Sequence, residues 1–299
     1  MNYDVIVIGE GMSGLACAGH ARRAGLRVAT FEANLFGGLV LNVAELEGFP
    51  GKSSGTDFAS ELMQANSDAG VESLQEPVTA IRAGGAGYEV ATTDGAYGAR
   101  QVVIASGARL KKLGVPGEAE FEGRGVSSCA DCDAPMFQGE EVVVVGGGDS
   151  ALQEALVLAK FARKVNIVIR GADFRARREF VERIQALPTV SIIRNATLEA
   201  ILGSKMVEKV RIHRDGAVEE LPAAGVFAYV GLEPSADFAP ADIQRDAGGG
   251  LVTNESLETA LPGVWAIGAV RSGYSGQLRD AAAEAQKTAD GIVKRLRSD

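Results

Sequence analysis

Short apolar segments that end on glycine recur along the chain. Residues 3–8 form a β-branched run typical of a buried parallel strand, and the alanine-rich residues 15–24 behind it predict a helix. The same order returns where an apolar run at 141–145 precedes a predicted helix over 152–161 and a further strand over 164–169. Strands that alternate with helices in this way favour an α/β fold with parallel sheets.

Further apolar runs indicate how the chain is divided. Segments 101–108, 225–230 and 263–268 each predict a strand that enters a glycine turn, and 277–296 predicts a terminal helix. Breaks that contain glycine and proline separate these segments at 111–117 and 231–234. We therefore expect two Rossmann-like, dinucleotide-binding domains. The first is discontinuous and consists of residues 1–114 and 246–299, and the second, residues 115–245, is inserted into it.

The first candidate site is the loop GEGMSG at residues 9–14, between the first predicted strand and its helix. In this context the first glycine permits a tight turn, and the second lets the backbone approach a pyrophosphate at the helix N-terminus. The next strand, 27–31, ends on Glu32, an acid suited to accept a hydrogen bond from a ribose hydroxyl. These features predict an FAD site formed by Gly9, Gly11, Met12, Ser13, Gly14 and Glu32.

The second candidate site is the loop GGGDSA at residues 146–151. Here the following strand ends on Arg170 instead of an acid, and Arg175 lies close behind. Arginine suits the 2′-phosphate of NADPH, whereas an acid suits a free ribose diol. The sequence therefore predicts an NADPH site formed by Gly146, Gly148, Asp149, Ser150, Arg170 and Arg175. Taken singly, each loop is also compatible with an ordinary strand-to-helix turn, and Arg177 and Arg178 with a solvated basic turn.

The net charge and the N-terminal sequence restrict the expected partners and location of the protein. The 299 residues carry a net charge of −9, which argues against nucleic acid or an anionic membrane as a partner. The N-terminus has no signal-peptide pattern and no apolar run reaches the length of a membrane span, so we expect a cytoplasmic protein.

Two of three cysteines, Cys129 and Cys132, form a CxxC pair. In that compartment such a pair indicates redox chemistry or half of a zinc site, with Cys17, His20 and His213 as the remaining soft ligands.

The order of these motifs resembles the low-molecular-weight thioredoxin reductase family. The family's redox motif has the form CAxCD after a GRGVS-like segment, which matches residues 123–127 and Cys129 to Asp133. Further matches lie along nearly the whole chain: Gly37-Gly38, EGFPG at 47–51, ASGA at 105–108, the loop at 146–151, and FRA at 174–176.

The resemblance implies that NADPH reduces a flavin, that the flavin reduces a Cys129–Cys132 disulfide, and that the dithiol reduces a thioredoxin-like protein or another disulfide substrate. It implies that Cys132 faces the flavin, that Cys129 attacks the substrate, and that Asp133 protonates the leaving thiolate. It also implies a homodimer. Further FAD-binding residues follow from the family's motifs: Gly38, Ala105, Ser106, Gly107, Gly268, Ala269 and Gln277.

The sequence departs from the family pattern at three places. The family's 2′-phosphate motif, HRRxxxR, keeps two of its four positions, Arg170 and Arg175, so we expect a modest preference for NADPH with NADH as a second donor. The family's GD pair, whose carboxylate holds the flavin ribityl chain, is Gly268-Ala269. The RQ pair that follows is Gly276-Gln277.

Two other functions are compatible with part of this pattern. A dithiol oxidase would pass electrons from the cysteines through FAD to oxygen, but it would not need the second nucleotide loop. A non-enzymatic flavin or nucleotide sensor would use the CxxC pair only to report redox state. That reading leaves Asp133 without a role.

Overall fold

A computed structural model describes residues 3–43, 46, 54–85 and 87–298. The EGFPG match at 47–51 lies outside these described residues. The strands are β1 (Tyr3–Ile8), β2 (Val28–Phe31), β3 (Glu72–Leu74), β4 (Val78–Gly84), β5 (Gly87–Thr92), β6 (Ala96–Ile104), β7 (Ala108–Leu110), β8 (Val126–Ser127), β9 (Glu141–Val145), β10 (Lys164–Val168), β11 (Val190–Ile193), β12 (Ala196–Gly203), β13 (Val207–Arg214), β14 (Ala217–Pro222), β15 (Gly225–Ala228), β16 (Leu232–Pro234) and β17 (Val264–Ala266).

The helices are mostly placed directly after strands. They are α1 (Met12–Arg23), α2 (Gly55–Ala69), α3 (Ala130–Asp133), α4 (Asp149–Leu158), α5 (Arg178–Gln185) and α6 (Leu278–Ser298), with short 3₁₀ turns at Gly38–Asn42, Ala134–Phe137 and Gly268–Val270. In the described part of the chain, no helix combines the length and apolar character that a membrane crossing requires.

The chain folds into two compact units, one of residues 1–109 and 233–299 and the other of residues 110–232. In the first unit, β3, β2, β1, β6 and β17 form a parallel sheet, and the hairpin β4–β5 extends it antiparallel from β6. The strand order reverses between β1 and β6, so the loops after both strands meet at one carboxyl edge. Such a switch point is where open α/β sheets bind ligands.

The second unit repeats this plan. Its parallel sheet has the order β11-β10-β9-β15-β8, and an antiparallel meander, β12-β13-β14, packs as a separate layer. The strand order again reverses beside the strand that leads into the glycine loop, here between β9 and β15. The predicted α/β class with parallel sheets is therefore confirmed, and each unit has its own switch point.

The boundaries between the units differ from the expected ones. The chain leaves the first unit after Arg109 and returns at Glu233, whereas the sequence placed these changes after 114 and after 245. Ala236, Ala239 and Ile243 explain the second difference, because they are buried in the apolar core of the first unit, against side chains of β1, β2 and β6. The glycine and proline break at 231–234 thus coincides with the point where the chain returns to the first unit.

Candidate active site

The first glycine loop joins β1 to α1 at the carboxyl edge of the first unit's sheet. Gly9 has a φ of 103°, and a Cβ there would lie 2.5 Å from the carbonyl oxygen of Ala105. A Cβ at Gly14 would overlap the carbonyl oxygen of Gly9. At Gly11 the nearest atom would be 3.9 Å away. The loop is therefore tightly packed behind Gly9 and Gly14 and open at Gly11, the position predicted to face a pyrophosphate.

Glu32 lies at the end of β2, beside this loop. One of its carboxylate oxygens accepts a hydrogen bond from the amide of Glu10 at 2.9 Å, and the other from the amides of Ala33 and Asn34 at 2.9 and 3.0 Å. A carboxylate offers about four acceptor sites, so Glu32 keeps capacity to accept from a ribose hydroxyl. Its position agrees with the role that the sequence assigns to it.

A second acid anchors the loop and was missed by the motif. The buried Glu10 carboxylate accepts hydrogen bonds from the hydroxyls of Thr30 at 2.5 Å and Ser73 at 2.6 Å. These hydroxyls belong to β2 and β3, so Glu10 ties the loop to two neighbouring strands. The GxGxxG pattern treats this position as variable, so the motif does not reveal the role of Glu10.

Several of the remaining predicted FAD residues lie around the same loop. Gly38 is close to Gly11, since a Cβ on Gly38 would lie 3.6 Å from the Gly11 Cα. After β6, the Ala105 amide donates to the carbonyl of Ile8, and the Ser106 hydroxyl donates to the carbonyl of Ser235 at 2.5 Å. Met12 and Ser13 begin α1, Gly107 turns the chain after Ser106 with a φ of 68°, and a Cβ on Gly268 would overlap the Ser13 hydroxyl.

The second glycine loop joins β9 to α4 in the second unit. Gly146 has a φ of 140°, and a Cβ there would overlap the carbonyl oxygen of Tyr229, which follows β15. At Gly148 the space within 4 Å of a Cβ is open. A pocket is formed at this point by Leu110, Gly148, Asp149, Ser150, Ala151, Arg175, Tyr229, Val230, Gly231 and Leu232. It brings together three of the predicted nucleotide-binding residues with Arg175.

The CxxC pair lies in the same unit and forms a disulfide. Cys129 is buried and Cys132 is exposed, with their Cα atoms 5.3 Å apart. The Cys132 amide donates a hydrogen bond to the Cys129 sulfur at 3.2 Å, and the Asp133 amide donates to the Cys129 carbonyl. Asp133 itself is half-buried at the end of α3. Among the described residues, no cluster of three His, Cys, Asp or Glu side chains could hold a metal ion.

Comparison with known proteins places this architecture in a family. The sequence profile described as pyridine nucleotide-disulphide oxidoreductase matches residues 3–288. The chain belongs to this family. A thioredoxin reductase of Treponema pallidum is 37% identical over 276 residues, which cover 91% of this chain and 90% of that protein. A thioredoxin reductase of Listeria innocua is 39% identical over 276 residues, covering 90% and 86% of the two chains.

A solved structure agrees with these relatives. The crystal structure of Lactococcus lactis thioredoxin reductase matches with a TM-score of 0.94 and 32% identity, covering 99% of this chain and 100% of that one. The resemblance inferred from the motifs is thereby confirmed, and the chain is a flavoprotein disulfide reductase. Members of this pyridine nucleotide-disulphide oxidoreductase family use a flavin and a nicotinamide nucleotide.

The residues present fit both groups. Each unit has a glycine loop with an open approach at its second or third glycine and an α-helix N-terminus behind it, which is the arrangement that binds a dinucleotide pyrophosphate. The acid Glu32 serves the first loop, and the cation Arg175 lies beside the second. The two loops therefore differ in charge in the way expected for a flavin nucleotide and a phosphorylated nicotinamide nucleotide.

The loop with Ala269, where the family has an aspartate, is held by a carboxylate from another element. Glu284 of α6 accepts a hydrogen bond from the Gly268 amide at 2.8 Å and forms an ion pair with Arg271. The Nε of Arg271 is buried and finds no acceptor in the described part of the chain. Gln277 stands immediately before α6, where its carbonyl accepts from the Tyr274 hydroxyl. The backbone turn is thus fixed without the aspartate, although the carboxylate lies elsewhere.

The arginines near the second loop divide into two groups. Arg177 pairs with Asp149 and Glu179, and Arg178 pairs with Glu182, so both are engaged within the protein. Arg170 and Arg175 are exposed and have no ion-pair partner among the described residues. This division separates the two arginines predicted to bind a phosphate from the two that the sequence left open.

Arg194 is a further cation that the sequence did not single out. It follows β11, which pairs in parallel with β10, so Arg194 and Arg170 leave adjacent strands at the same edge. Its guanidinium lies 6.0 Å from the centre of the Phe174 ring, and the Asn195 amide donates to the Gly171 carbonyl at 3.2 Å. Gly171 occupies a position where the family motif has arginine. Arg194 is 23 residues further along the chain, beyond the reach of a local motif.

Glu154 and Tyr229 were also missed, and they connect the CxxC pair with the nucleotide pocket. A Glu154 carboxylate oxygen accepts hydrogen bonds from the Ala130 amide at 2.9 Å and from the Tyr229 hydroxyl at 3.2 Å. Burial raises the pKa of Glu154 to about 7, and the nearby negative charge of Asp131 adds to this, although the hydrogen bonds oppose it. Tyr229 lines the pocket beside Gly148.

Proposed function

We propose that the chain is an NADPH-dependent thioredoxin reductase that passes electrons through FAD to the Cys129–Cys132 disulfide and then to a thioredoxin-like protein. The observation that carries this proposal is the disulfide itself, placed on a short helical turn in the unit that also contains the pocket of the second glycine loop. The relatives from T. pallidum and L. innocua, both named thioredoxin reductase, support the choice of partner.

For FAD, we propose that the first unit supplies the binding residues. Gly11 and the first turn of α1 would face the pyrophosphate, and Glu32 would accept from the adenosine ribose. The Gly268 turn, held by Glu284, would lie along the flavin chain in place of the family's aspartate. Met12, Ser13, Gly38, Ala105, Ser106, Gly107, Ala269 and Gln277 complete the proposed site.

For the nicotinamide nucleotide, we propose NADPH with NADH as a weaker donor. Gly146, Gly148, Asp149 and Ser150 would surround the pyrophosphate at the start of α4. Arg170 and Arg175 would pair with the 2′-phosphate, and Arg194 would add a third positive charge from the neighbouring strand. Because a charge-assisted contact to phosphate is stronger than a neutral one, these cations would discriminate against NADH.

When bound, the two cofactors supply two-electron chemistry that opens the disulfide. The cysteines then act in turn. The Cys132 amide stabilises negative charge on the Cys129 sulfur, which favours Cys129 as the thiolate that attacks the substrate disulfide. Asp133, next to Cys132, would hold the proton that the departing thiolate requires. A homodimer and a cytoplasmic location stay predictions from the sequence.

The test is turnover with defined partners. Purified protein, NADPH and a thioredoxin are mixed with a chromogenic disulfide, and nucleotide oxidation is followed by absorbance. We expect thioredoxin-dependent turnover, faster with NADPH than with NADH, and none with the Cys129→Ser variant. Reduction of the flavin by NADPH without any reduction of thioredoxin would remove thioredoxin as the partner and leave another disulfide as substrate.

A further inference from the structure

A half-buried acid contacts the main chain between the two cysteines. Glu154 belongs to α4, yet its carboxylate accepts the amide hydrogen of Ala130, the residue that follows Cys129. Ala130 is fully buried, so this amide has no access to water as an alternative partner. The Tyr229 hydroxyl donates to the same carboxylate oxygen from the end of β15. Glu154 is therefore the junction between the redox turn, α4 and the wall of the nucleotide pocket.

Covalent geometry limits how far this carboxylate can be from the reactive sulfur. Four bonds separate the Ala130 nitrogen from the Cys129 sulfur, so the sulfur lies within about 9 Å of the Glu154 oxygen. Two negative charges at such a separation, in a medium of effective dielectric constant about 20, change each other's proton affinity by about tenfold or more. The charge of Glu154 and a thiolate at Cys129 must therefore oppose each other.

The groups around Glu154 also influence how strongly its carboxylate holds a proton. Asp131, on the turn between the cysteines, adds negative charge, and the Tyr229 hydroxyl acts as a hydrogen-bond donor. The pKa of Glu154 is raised to about 7, mainly by burial, so its proton exchanges near neutral pH in the oxidised protein. A new negative charge on Cys129 would raise this pKa further.

We propose that Glu154 is a positioning residue for the redox disulfide: it fixes the main chain between Cys129 and Cys132, and it takes up a proton when the disulfide is reduced. In the balanced step, the sulfur–sulfur bond breaks, two electrons enter from the flavin, one sulfur takes a proton, the other remains a thiolate, and the Glu154 carboxylate takes a second proton from solvent. This inference rests on the proposed redox role of the cysteine pair and deepens it.

The proposal predicts the direction in which the ease of reducing the disulfide changes with pH. Below pH 7, Glu154 is mostly protonated and does not oppose a thiolate. As the pH rises above 7, its negative charge makes reduction of the disulfide harder, in addition to the ordinary pH dependence of thiols. Glu154→Gln mimics the protonated acid and can still accept from Ala130 and Tyr229. It should therefore behave like the parent protein at pH 6 and be easier to reduce at pH 8.

The experiment equilibrates the flavin-loaded protein with dithiothreitol redox buffers under anaerobic conditions at pH 6 and pH 8. Thiols are trapped by alkylation and counted by mass spectrometry. We expect the reduced-to-oxidised ratio of Glu154→Gln to exceed that of the parent by on the order of tenfold at pH 8 and by less than about twofold at pH 6. The exposed Glu140, changed to Gln, is the control for loss of one charge and should match the parent at both pH values.

Tyr229→Phe provides a second variant that keeps the acid. Loss of the hydroxyl donor raises the pKa of Glu154, so Glu154 stays protonated to a higher pH and the Tyr229→Phe protein should be easier to reduce than the parent at pH 8 and similar to it at pH 6. If Glu154→Gln proves unfolded by its thermal transition, this comparison of Tyr229→Phe with the parent decides the question. An equal change at both pH values, or none at either, would overturn the proposal. Because dithiothreitol replaces both nucleotide and thioredoxin, failure of the reductase reaction would appear separately, as absent turnover with an unchanged dithiothreitol equilibrium.

Discussion

At the scale of single residues, the two cysteines have unequal surroundings, and the proposed function gives them unequal roles. Cys129 is buried and its sulfur accepts the Cys132 amide hydrogen, whereas Cys132 is exposed. We expect Cys132→Ser to leave a reactive Cys129 thiol that traps oxidised thioredoxin as a mixed disulfide, detectable on a non-reducing gel. Cys129→Ser should trap much less. The reverse order of trapping would show that the roles are exchanged.

The arginines of the second unit give a second residue-scale prediction. One charge-assisted contact to a phosphate contributes about 1.5 to 3 kcal/mol, which corresponds to roughly ten- to hundredfold in affinity. Arg170→Ala and Arg194→Ala should each weaken binding of 2′,5′-ADP by a factor in or just below this range and leave binding of 5′-AMP nearly unchanged, as measured by calorimetry.

Arg178→Ala is the matched control for these variants, because Arg178 already pairs with Glu182 on its own helix. It should bind both nucleotides like the parent protein. An equal loss of 2′,5′-ADP and 5′-AMP binding in the Arg194 variant would show that this arginine does not contact the 2′-phosphate. A parent protein with no preference between the two nucleotides would instead count against NADPH as the donor.

At the scale of elements, two glycines in the turn between β1 and α1 are expected to have different roles, Gly14 in stability and Gly11 in FAD binding. A Cβ at Gly14 would overlap the Gly9 carbonyl, whereas a Cβ at Gly11 would have 3.9 Å of clearance. We expect Gly14→Ala to destabilise the flavin-free protein by about 1 to 3 kcal/mol, since overpacking forces backbone shifts. Gly11→Ala should retain the parent's stability without flavin but bind FAD more weakly. Chemical denaturation and FAD titration check the pair, and similar effects of both substitutions would contradict the distinction.

The elements also show which parts of the fold the sequence predicts. Continuous apolar runs such as β1, β6 and β9 are buried on both sheet faces, so their composition alone reveals them. The hairpin β4–β5 and the meander β12-β13-β14 were not predicted. β4 and β5 contain one buried residue each, and β14 is largely exposed, so what defines these strands is pairing with neighbours rather than a local apolar run.

The residues of the candidate site also divide into those that a local sequence motif reveals and those that only the fold brings together. Glycine loops and the CxxC pair are local motifs, and the positions of the glycine loops at strand ends followed from the sequence. Glu154, Arg194 and Glu284 could not be found so, because each acts on a main-chain or aromatic group at least 16 residues away. Only the folded sheet brings them there. Ala269 shows the reverse case, in which a motif residue is absent and Glu284, from a different element, holds the turn.

At the scale of the whole molecule, the proposed function needs both units for one path of electrons. One unit would hold FAD, and the other holds both the pocket proposed for NADPH and the disulfide. If the flavin and the Cys129–Cys132 disulfide work in series, the protein must be able to hold electrons on both of these groups. A flavoprotein in which the disulfide is inert would store them only on the flavin.

Anaerobic titration with NADPH measures this most directly. Absorbance of the flavin and labelling of thiols are followed until no more nucleotide is oxidised, for the parent protein and for a Cys129→Ser, Cys132→Ser double variant. The proposed electron path predicts that the parent takes up roughly twice as many electrons per flavin as the double variant, and that added oxidised thioredoxin withdraws them from the parent alone. Equal uptake by both proteins, with Cys129 and Cys132 still joined in the parent, would contradict it.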